Sequence, residues 1–61
     1  MNANELFQRM RDGERPTGHC VKYVWRWVID GLPCTRAVKT LESRGLITCQ
    51  YYSDGASANL A

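Results

Sequence analysis

The sequence predicts a single α+β domain, residues 1–61, with three helices and a C-terminal two-stranded β-hairpin. Two observations carry this prediction. Between Pro33 and Arg44 the apolar residues recur at helical spacing, and Gly45 follows as a terminator. Further on, Asp54-Gly55 separates two alternating segments, which is a strong hairpin signal. A chain of 61 residues has room for one such domain. A chain this short buries only about 60% of the surface that its unfolded form exposes.

The first helix is predicted to begin at Asn2 or Asn4, since either side chain can cap it, and to end at Gly13. Glu5 lies in the first turn, where the helix dipole favours a negative charge. The apolar side chains share one face: Leu6, Phe7 and Met10. Residues 12–18 contain two glycines and a proline and are predicted to form a loop.

Residues 21–29 fit both helical and strand periodicity. As a helix, the segment places Lys22 and Arg26 opposite an apolar face formed by Val21, Val24, Trp25 and Val28. As a strand, it has one side lined by Tyr23, Trp25, Trp27 and Ile29. Its β-branched and aromatic content favours a strand. We nevertheless expect a helix, because residues 30–33 and the segment after them suggest the turn and second helix of a helix-turn-helix.

The third helix is predicted from Pro33 to Arg44, after a turn over residues 30–33. Gly31 can adopt positive φ in that turn, and proline is suited to the first position of a helix. One stripe of the helix is apolar and is expected to face the core: Cys34, Ala37, Val38 and Leu41. The opposite side is cationic and hydroxylated: Arg36, Lys39, Thr40 and Ser43.

The C-terminal hairpin is predicted to consist of strands 46–52 and 56–61 around Asp54-Gly55. This turn pairs Tyr52 with Ser57, Tyr51 with Ala58, Gln50 with Asn59, and Cys49 with Leu60. One face is then apolar (Cys49, Tyr51, Ala58, Leu60) and the other polar (Thr48, Gln50, Ser57, Asn59). The separation into two faces supports the hairpin, because a strand with one buried side requires it.

Residues 35–47 resemble the recognition helix and first wing strand of bacterial winged helix-turn-helix regulators of the GntR and MarR type. The similarity rests on Ala37-Val38, Leu41-Glu42 and Gly45-Leu46-Ile47 and covers Gly31 to Tyr52, with the rest matching only in element order. It implies that the third helix enters the major groove with the hairpin as a wing. The groove-facing residues would be Thr35, Arg36, Lys39, Thr40 and Ser43.

These residue types suit DNA contacts, since Arg grips guanine bidentately, Lys meets phosphate or guanine, and Ser and Thr are short donors. The alternative for Arg36 and Lys39 is an ordinary solvated helix face. Lys22 and Arg26 are candidate phosphate contacts, although a solvated face accounts for them as well. The wing tip carries Asp54 and no cation, so we assign it no DNA contact.

The charge and size favour binding over chemistry. Eight basic residues against six acidic ones give a net charge of +2, and all eight lie between Arg9 and Arg44. The chain leaves no room for a cofactor fold with a pocket, so we expect no enzyme, no catalytic residues, no cofactor and no small-molecule substrate. We expect a small DNA-binding protein, a transcriptional regulator or an architectural factor, that binds double-stranded DNA as a homodimer or with a protein partner.

The alternative function is a protein-binding adaptor or inhibitor without DNA binding, since winged domains also bind proteins. The acidic hairpin tip, the modest charge and the surplus of aromatic residues favour it. If residues 21–29 are helical, Tyr23 and Trp27 lie one turn apart and form a candidate interface.

The three cysteines, Cys20, Cys34 and Cys49, predict reduced thiols in the cytoplasm, because the N-terminal residues lack the pattern of a signal peptide. His19-Cys20 with the other two cysteines could supply four zinc ligands, but the spacing lacks a Cys-x-x-Cys pair, so no metal site is expected. The longest nearly apolar run, residues 23–29, contains Arg26 and is too short to span a bilayer, so no membrane association is expected.

Overall fold

The computed structural model describes all 61 residues and contains two helices and five strands. In chain order these are α1 (Ala3–Arg11), β1 (Thr17–Val21), β2 (Val24–Ile29), β3 (Leu32–Pro33), α2 (Thr35–Ser43), β4 (Ile47–Tyr52) and β5 (Gly55–Leu60). The strands form one antiparallel sheet in the order β3-β2-β1-β5-β4. Both helices pack on one face of this sheet, and the other face carries no helix.

The predicted three-helix core is wrong, because residues 21–29 form a hairpin turn and a strand. Lys22 and Tyr23 have positive φ and close the β1–β2 hairpin, in which Val21 pairs with Val24. Alternate residues of the strand, Trp25, Trp27 and Ile29, point toward the helices. Trp27 is therefore buried and Trp25 half-buried. The β-branched and aromatic residues thus follow their strand preference. Without a helix at this position, the chain has no helix-turn-helix.

Both remaining helices lie where the sequence predicts helices. Asn2 caps α1, since its Oδ1 accepts a hydrogen bond of 2.8 Å from the Glu5 N–H, and α1 buries Leu6 and Met10. α2 begins at Thr35 rather than at Pro33, because Pro33 belongs to β3 and pairs with Val28.

The C-terminal hairpin is confirmed, but its register differs from the prediction by two residues. Ser53 and Asp54 form the turn, so Tyr52 pairs with Gly55, Tyr51 with Ala56, Gln50 with Ser57 and Cys49 with Ala58. A shift of two keeps every residue on its predicted face, since side chains alternate with a period of two. The hairpin is not a separate wing, because β5 pairs with β1 through Thr17↔Ser57 and Gly18↔Ala56.

A row of four residues joins the two hairpins on the helix-bearing face. Tyr51, Ala56, Gly18 and Trp27 lie side by side on β4, β5, β1 and β2. The two small residues in the middle let the aromatic rings approach, and the ring centroids of Trp27 and Tyr51 are 6.3 Å apart, edge to face. A Cβ on Gly18 would lie 3.0 Å from Cε2 of Trp27. A side chain at position 18 would therefore force the Trp27 ring or Ala56 to shift.

The core is apolar throughout and is formed by all elements except β1 and β3. No polar or charged residue is buried. Its members are Leu6, Met10, Trp27, Ile29, Cys34, Ala37, Val38, Leu41, Ile47, Ala56 and Ala58. The apolar stripe predicted for the third helix is confirmed, since Cys34, Ala37, Val38 and Leu41 are all buried.

Candidate nucleic-acid interface

The exposed side of α2 presents two cations on a rigid support. Arg36 and Lys39 are exposed and lie on the side of α2 opposite its buried stripe. Leu41 and Val38 hold the helix against the sheet, so the cationic side cannot turn inward without exposing them. The C-terminal strands do not cover these two side chains.

Neither cation is neutralised by a carboxylate. The single ion pair of the molecule joins Arg9 to Glu14 at 3.2 Å, on the α1 side. Residues 33–45 contain Arg36, Lys39 and Arg44 against Glu42, three positive charges minus one negative, which leaves +2. This segment is therefore positively charged and attracts an anionic partner.

The hydroxyl groups predicted to face a groove bond within the protein. Thr35 is half-buried, and its Oγ1 accepts a hydrogen bond of 2.9 Å from the Trp27 N–H. Thr40 Oγ1 donates to the Arg36 carbonyl at 3.0 Å, and Ser43 Oγ donates to the Thr40 carbonyl at 2.9 Å. The Thr35 oxygen thus ties the start of α2 to β2, while its hydroxyl hydrogen has no partner, so the assignment of Thr35 to the groove stays a prediction. Thr40 and Ser43 lie at the surface, and their hydroxyl hydrogens are donated to backbone carbonyls of the helix.

Lys22 and Arg26 do not share a helix face with each other, as a helix over residues 21–29 would require. Lys22 lies in the β1–β2 turn, and Arg26 lies on β2 opposite His19. Arg26 projects from the sheet face without helices, whereas α2 lies on the other face. The two sets of predicted cationic contacts thus lie on different sides of the molecule.

The helix-free face of the sheet, which we call the open face, carries no Asp or Glu. Its register places on it Thr17, His19, Val21, Val24, Arg26, Val28, Thr48, Gln50, Tyr52, Ser57 and Asn59. Sequence reasoning missed this surface, because residues 21–29 were expected to be helical. The strand alternation of that segment could have revealed this surface, since it places Arg26 on the face opposite Trp25 and Trp27.

Of the two aromatic residues predicted as an interface, only Tyr23 is accessible. Tyr23 is 99% exposed at the hairpin turn, whereas Trp27 is 2% exposed and belongs to the core. The interface assignment of Trp27 is wrong, because the strand turns its ring onto Gly18 beneath the helices. Half-buried Trp25 packs on Tyr51, with ring centroids 5.0 Å apart.

The three thiols are free and differ in their surroundings. Cys20 is exposed, Cys34 is buried and Cys49 is half-buried. Burial raises the pKa of Cys34. Burial, and then the neighbouring Glu42 carboxylate, raise the pKa of Cys49 to about 11. Both groups are thus neutral thiols at neutral pH. Burial also raises the pKa of Tyr51, with smaller contributions from Cys49 and Glu42.

No three side chains of His, Cys, Asp or Glu converge as metal ligands would, and the surface has no pocket. Neither helix combines the length and the apolar character needed to cross a membrane.

Comparison of the chain with family models, with curated proteins and with solved structures gave no match.

Proposed function

We propose that the protein binds double-stranded DNA through the exposed side of α2. The observation that carries the proposal is the position of Arg36 and Lys39, exposed and without a carboxylate partner on a helix whose other side is fixed in the core. Nine residues of helix span about 13 Å, which is the length of roughly four base pairs. A helix of this length presents its two cations to one stretch of groove.

In this proposal Arg36 contacts a guanine edge and Lys39 a phosphate or a guanine, as their donor geometries allow. Arg44 lies just beyond the helix and adds a positive charge next to the same surface. The hydroxyls of Thr40 and Ser43 accept hydrogen bonds in this proposal, since their hydrogens are donated to the helix backbone.

The test is fluorescence anisotropy with a labelled duplex recovered by selection from random DNA. Arg36→Ala is expected to weaken specific binding by about 1–3 kcal/mol and to relax the preference at one base position. Lys39→Ala should weaken binding and reduce the salt dependence by about one phosphate contact.

Arg11→Ala is the matched control, because Arg11 is an exposed cation on α1 with no ion-pair partner. If Arg36→Ala and Arg11→Ala weaken binding equally, the attraction is only that of net charge. If both α2 variants bind like the unmodified protein, α2 is not the interface.

A second candidate function is that of a protein-binding adaptor or inhibitor. The observation that favours it is the set of aromatic side chains left accessible on the two hairpins, namely Tyr23, Tyr51 and Tyr52. Tyr is enriched at protein interfaces, where its ring is buried and its hydroxyl finds a partner. Under this function, selection from random DNA returns no enriched sequence, and Tyr23→Ala weakens a protein complex without affecting the fold. Trp27→Ala cannot serve as the probe, because Trp27 is part of the core.

A further inference from the structure

The outer part of the β1–β2 hairpin, residues 19–26, forms a two-stranded arm without a neighbouring strand on either side. β1 pairs with β5 only through Thr17 and Gly18, and β2 pairs with β3 only through Val28 and Ile29. Residues 19–26 therefore pair only with one another. Three residues on each strand give the arm a length of about 10 Å. On the helix-bearing face, its Trp25 packs on Tyr51.

The arm is basic and apolar and has no acidic residue. From Arg15 to Ile29 the chain contains no Asp or Glu. Lys22 and Arg26 are exposed within the arm, and neither has an ion-pair partner. Val21 and Val24 are about half exposed and flank the turn on the open face. The surface attracts an anionic partner that also offers apolar contact area.

The β1–β2 turn, which carries Tyr23, has a strained backbone. Lys22 and Tyr23 have φ of 51° and 69°, the left-handed conformation that asparagine and glycine adopt in two-residue hairpins. Tyr23 is 99% exposed, so its ring contributes nothing to the core. A strained turn that carries a fully exposed aromatic ring indicates a role outside folding.

We infer that the arm is a second DNA-binding element, with Lys22 and Arg26 on phosphates and the Tyr23 ring against the wall of a duplex groove. A two-stranded ribbon fits the major groove, and phosphate and sugar are the anionic and apolar surfaces that the groove offers together. The inference rests on the proposed DNA binding but not on the role of α2, since Arg26 and α2 lie on opposite faces of the sheet.

The experiment measures duplex affinity over a series of salt concentrations for the full chain and its variants. Lys22→Ala and Arg26→Ala are each expected to reduce the slope of log K against log salt by about 0.9, the value for one phosphate contact. Tyr23→Ala is expected to weaken binding about tenfold with an unchanged slope, because a neutral apolar contact is lost.

Two controls isolate the arm. Tyr52→Ala removes an exposed tyrosine from the other hairpin and should leave the affinity unchanged. Arg11→Ala should leave the slope unchanged. Thermal unfolding of Tyr23→Ala should match that of the unmodified protein, because the ring is exposed, so a loss of affinity cannot be attributed to unfolding.

The outcomes separate the two assignments. If the arm variants bind like the unmodified protein while Arg36→Ala binds weakly, the arm is not a contact and α2 is. If the arm variants bind weakly while the α2 variants bind normally, the arm is the contact and the role of α2 is rejected. If the unmodified protein binds no duplex, both proposals are overturned.

Discussion

The two hairpins of this chain have the same topology but different relations to the rest of the fold. The β4–β5 hairpin lies at the edge of the sheet, where β4 has no second neighbour and β5 pairs with β1 through Ala56 and Ser57. The outer part of the β1–β2 hairpin pairs with no further strand, although its Trp25 packs on Tyr51. Both hairpins thus contribute to the core, and the β1–β2 hairpin in addition presents its outer part to solvent.

The turns of the two hairpins also differ in their backbone conformation. Ser53 and Asp54 close the β4–β5 hairpin without positive φ, whereas Lys22 and Tyr23 close the β1–β2 hairpin with positive φ at both residues. The non-glycine residues with positive φ, Lys22, Tyr23 and Asp30, all lie in the turns at the two ends of β2. The difference teaches that backbone strain in this domain is placed at exposed turn positions.

The largest effect on stability is expected from Trp27, which lies next to the arm, and no effect from Tyr23 at its tip. Trp27→Ala should destabilise the protein by about 3–5 kcal/mol, which is comparable to the total stability of a domain this small. Tyr23→Ala should leave the free energy of unfolding unchanged, because the ring is already exposed. Urea denaturation followed by circular dichroism measures both. A native midpoint for Trp27→Ala would contradict the packing of its ring on Gly18.

The row that joins the hairpins is tested at Gly18. Gly18→Ala should cost about 1–3 kcal/mol, because the new Cβ would lie 3.0 Å from Trp27 Cε2 and 3.2 Å from Ala56 Cβ. In a Trp27→Phe background part of this cost should disappear, since the smaller ring leaves room. Gly55→Ala is the control, because its Cβ would meet the Gly18 carbonyl and not the Trp27 ring. Its cost should therefore be the same in both backgrounds. Equal costs of Gly18→Ala in both backgrounds would show that the ring is not the obstacle.

Exchanging turn residues should have opposite effects in the two hairpins. Replacing Lys22-Tyr23 by Asn-Gly should stabilise the protein by about 1 kcal/mol, because both residues have positive φ. The same replacement of Ser53-Asp54 should destabilise it by about 0.5 kcal/mol, since glycine adds flexibility to the unfolded chain without relieving strain. Differential scanning calorimetry gives both values. A stabilisation at Ser53-Asp54 would show that the second turn is also strained.

The last comparison concerns the two thiols that lie on the hairpins, Cys20 on β1 and Cys49 on β4. Exposed Cys20 should be alkylated before Cys49, which remains protonated because burial and Glu42 raise its pKa to about 11. The unfolded chain ionises the same thiol near its ordinary value of 9.0, so the folded state binds more protons between these values. Stability should therefore fall as the pH rises from 9.0 to about 11.

Cys49→Ala removes this contribution, so comparing its pH–stability curve with that of the unmodified protein isolates the thiol. Mass spectrometry after brief alkylation gives the order of reaction. Two curves of the same slope in this range, or faster labelling of Cys49 than of Cys20, would contradict the assigned environment.

Sequence patterns predicted the elements whose signal is local. The cap at Asn2 and the apolar stripe of α2 follow from side chains within a few residues of each other. Residues 21–29 satisfied two periodicities, and the resemblance of the next helix to a recognition helix favoured the wrong one. The turn at Lys22-Tyr23 gave no warning, because neither residue is a usual turn former.

The predicted register of the β4–β5 hairpin was wrong for a reason that only the folded structure shows. Asp54-Gly55 is a favourable turn pair, yet Gly55 lies within β5, where a Cβ would come 3.0 Å from the Gly18 carbonyl. Glycine is present for this close approach and not for the turn. The contact joins residues far apart in sequence, so no local pattern encodes it.

The exposure of Arg36 and Lys39 was predictable, because the helical period that buries Val38 and Leu41 also turns them outward. The engagement of Thr35 was not predictable, since its partner is the backbone N–H of Trp27 on a strand that was expected to be a helix. The sequence thus indicates which charges are free more readily than which hydroxyls are.

The single ion pair between Arg9 and Glu14 has a practical consequence for all binding measurements. Both of its side chains are partly exposed, and an exposed pair contributes about 1 kcal/mol or less to folding. Cohesion in this molecule comes from contacts between uncharged groups, which concentrated salt does not weaken. Ionic strength can therefore be raised until a bound polyanion dissociates while the free protein stays native.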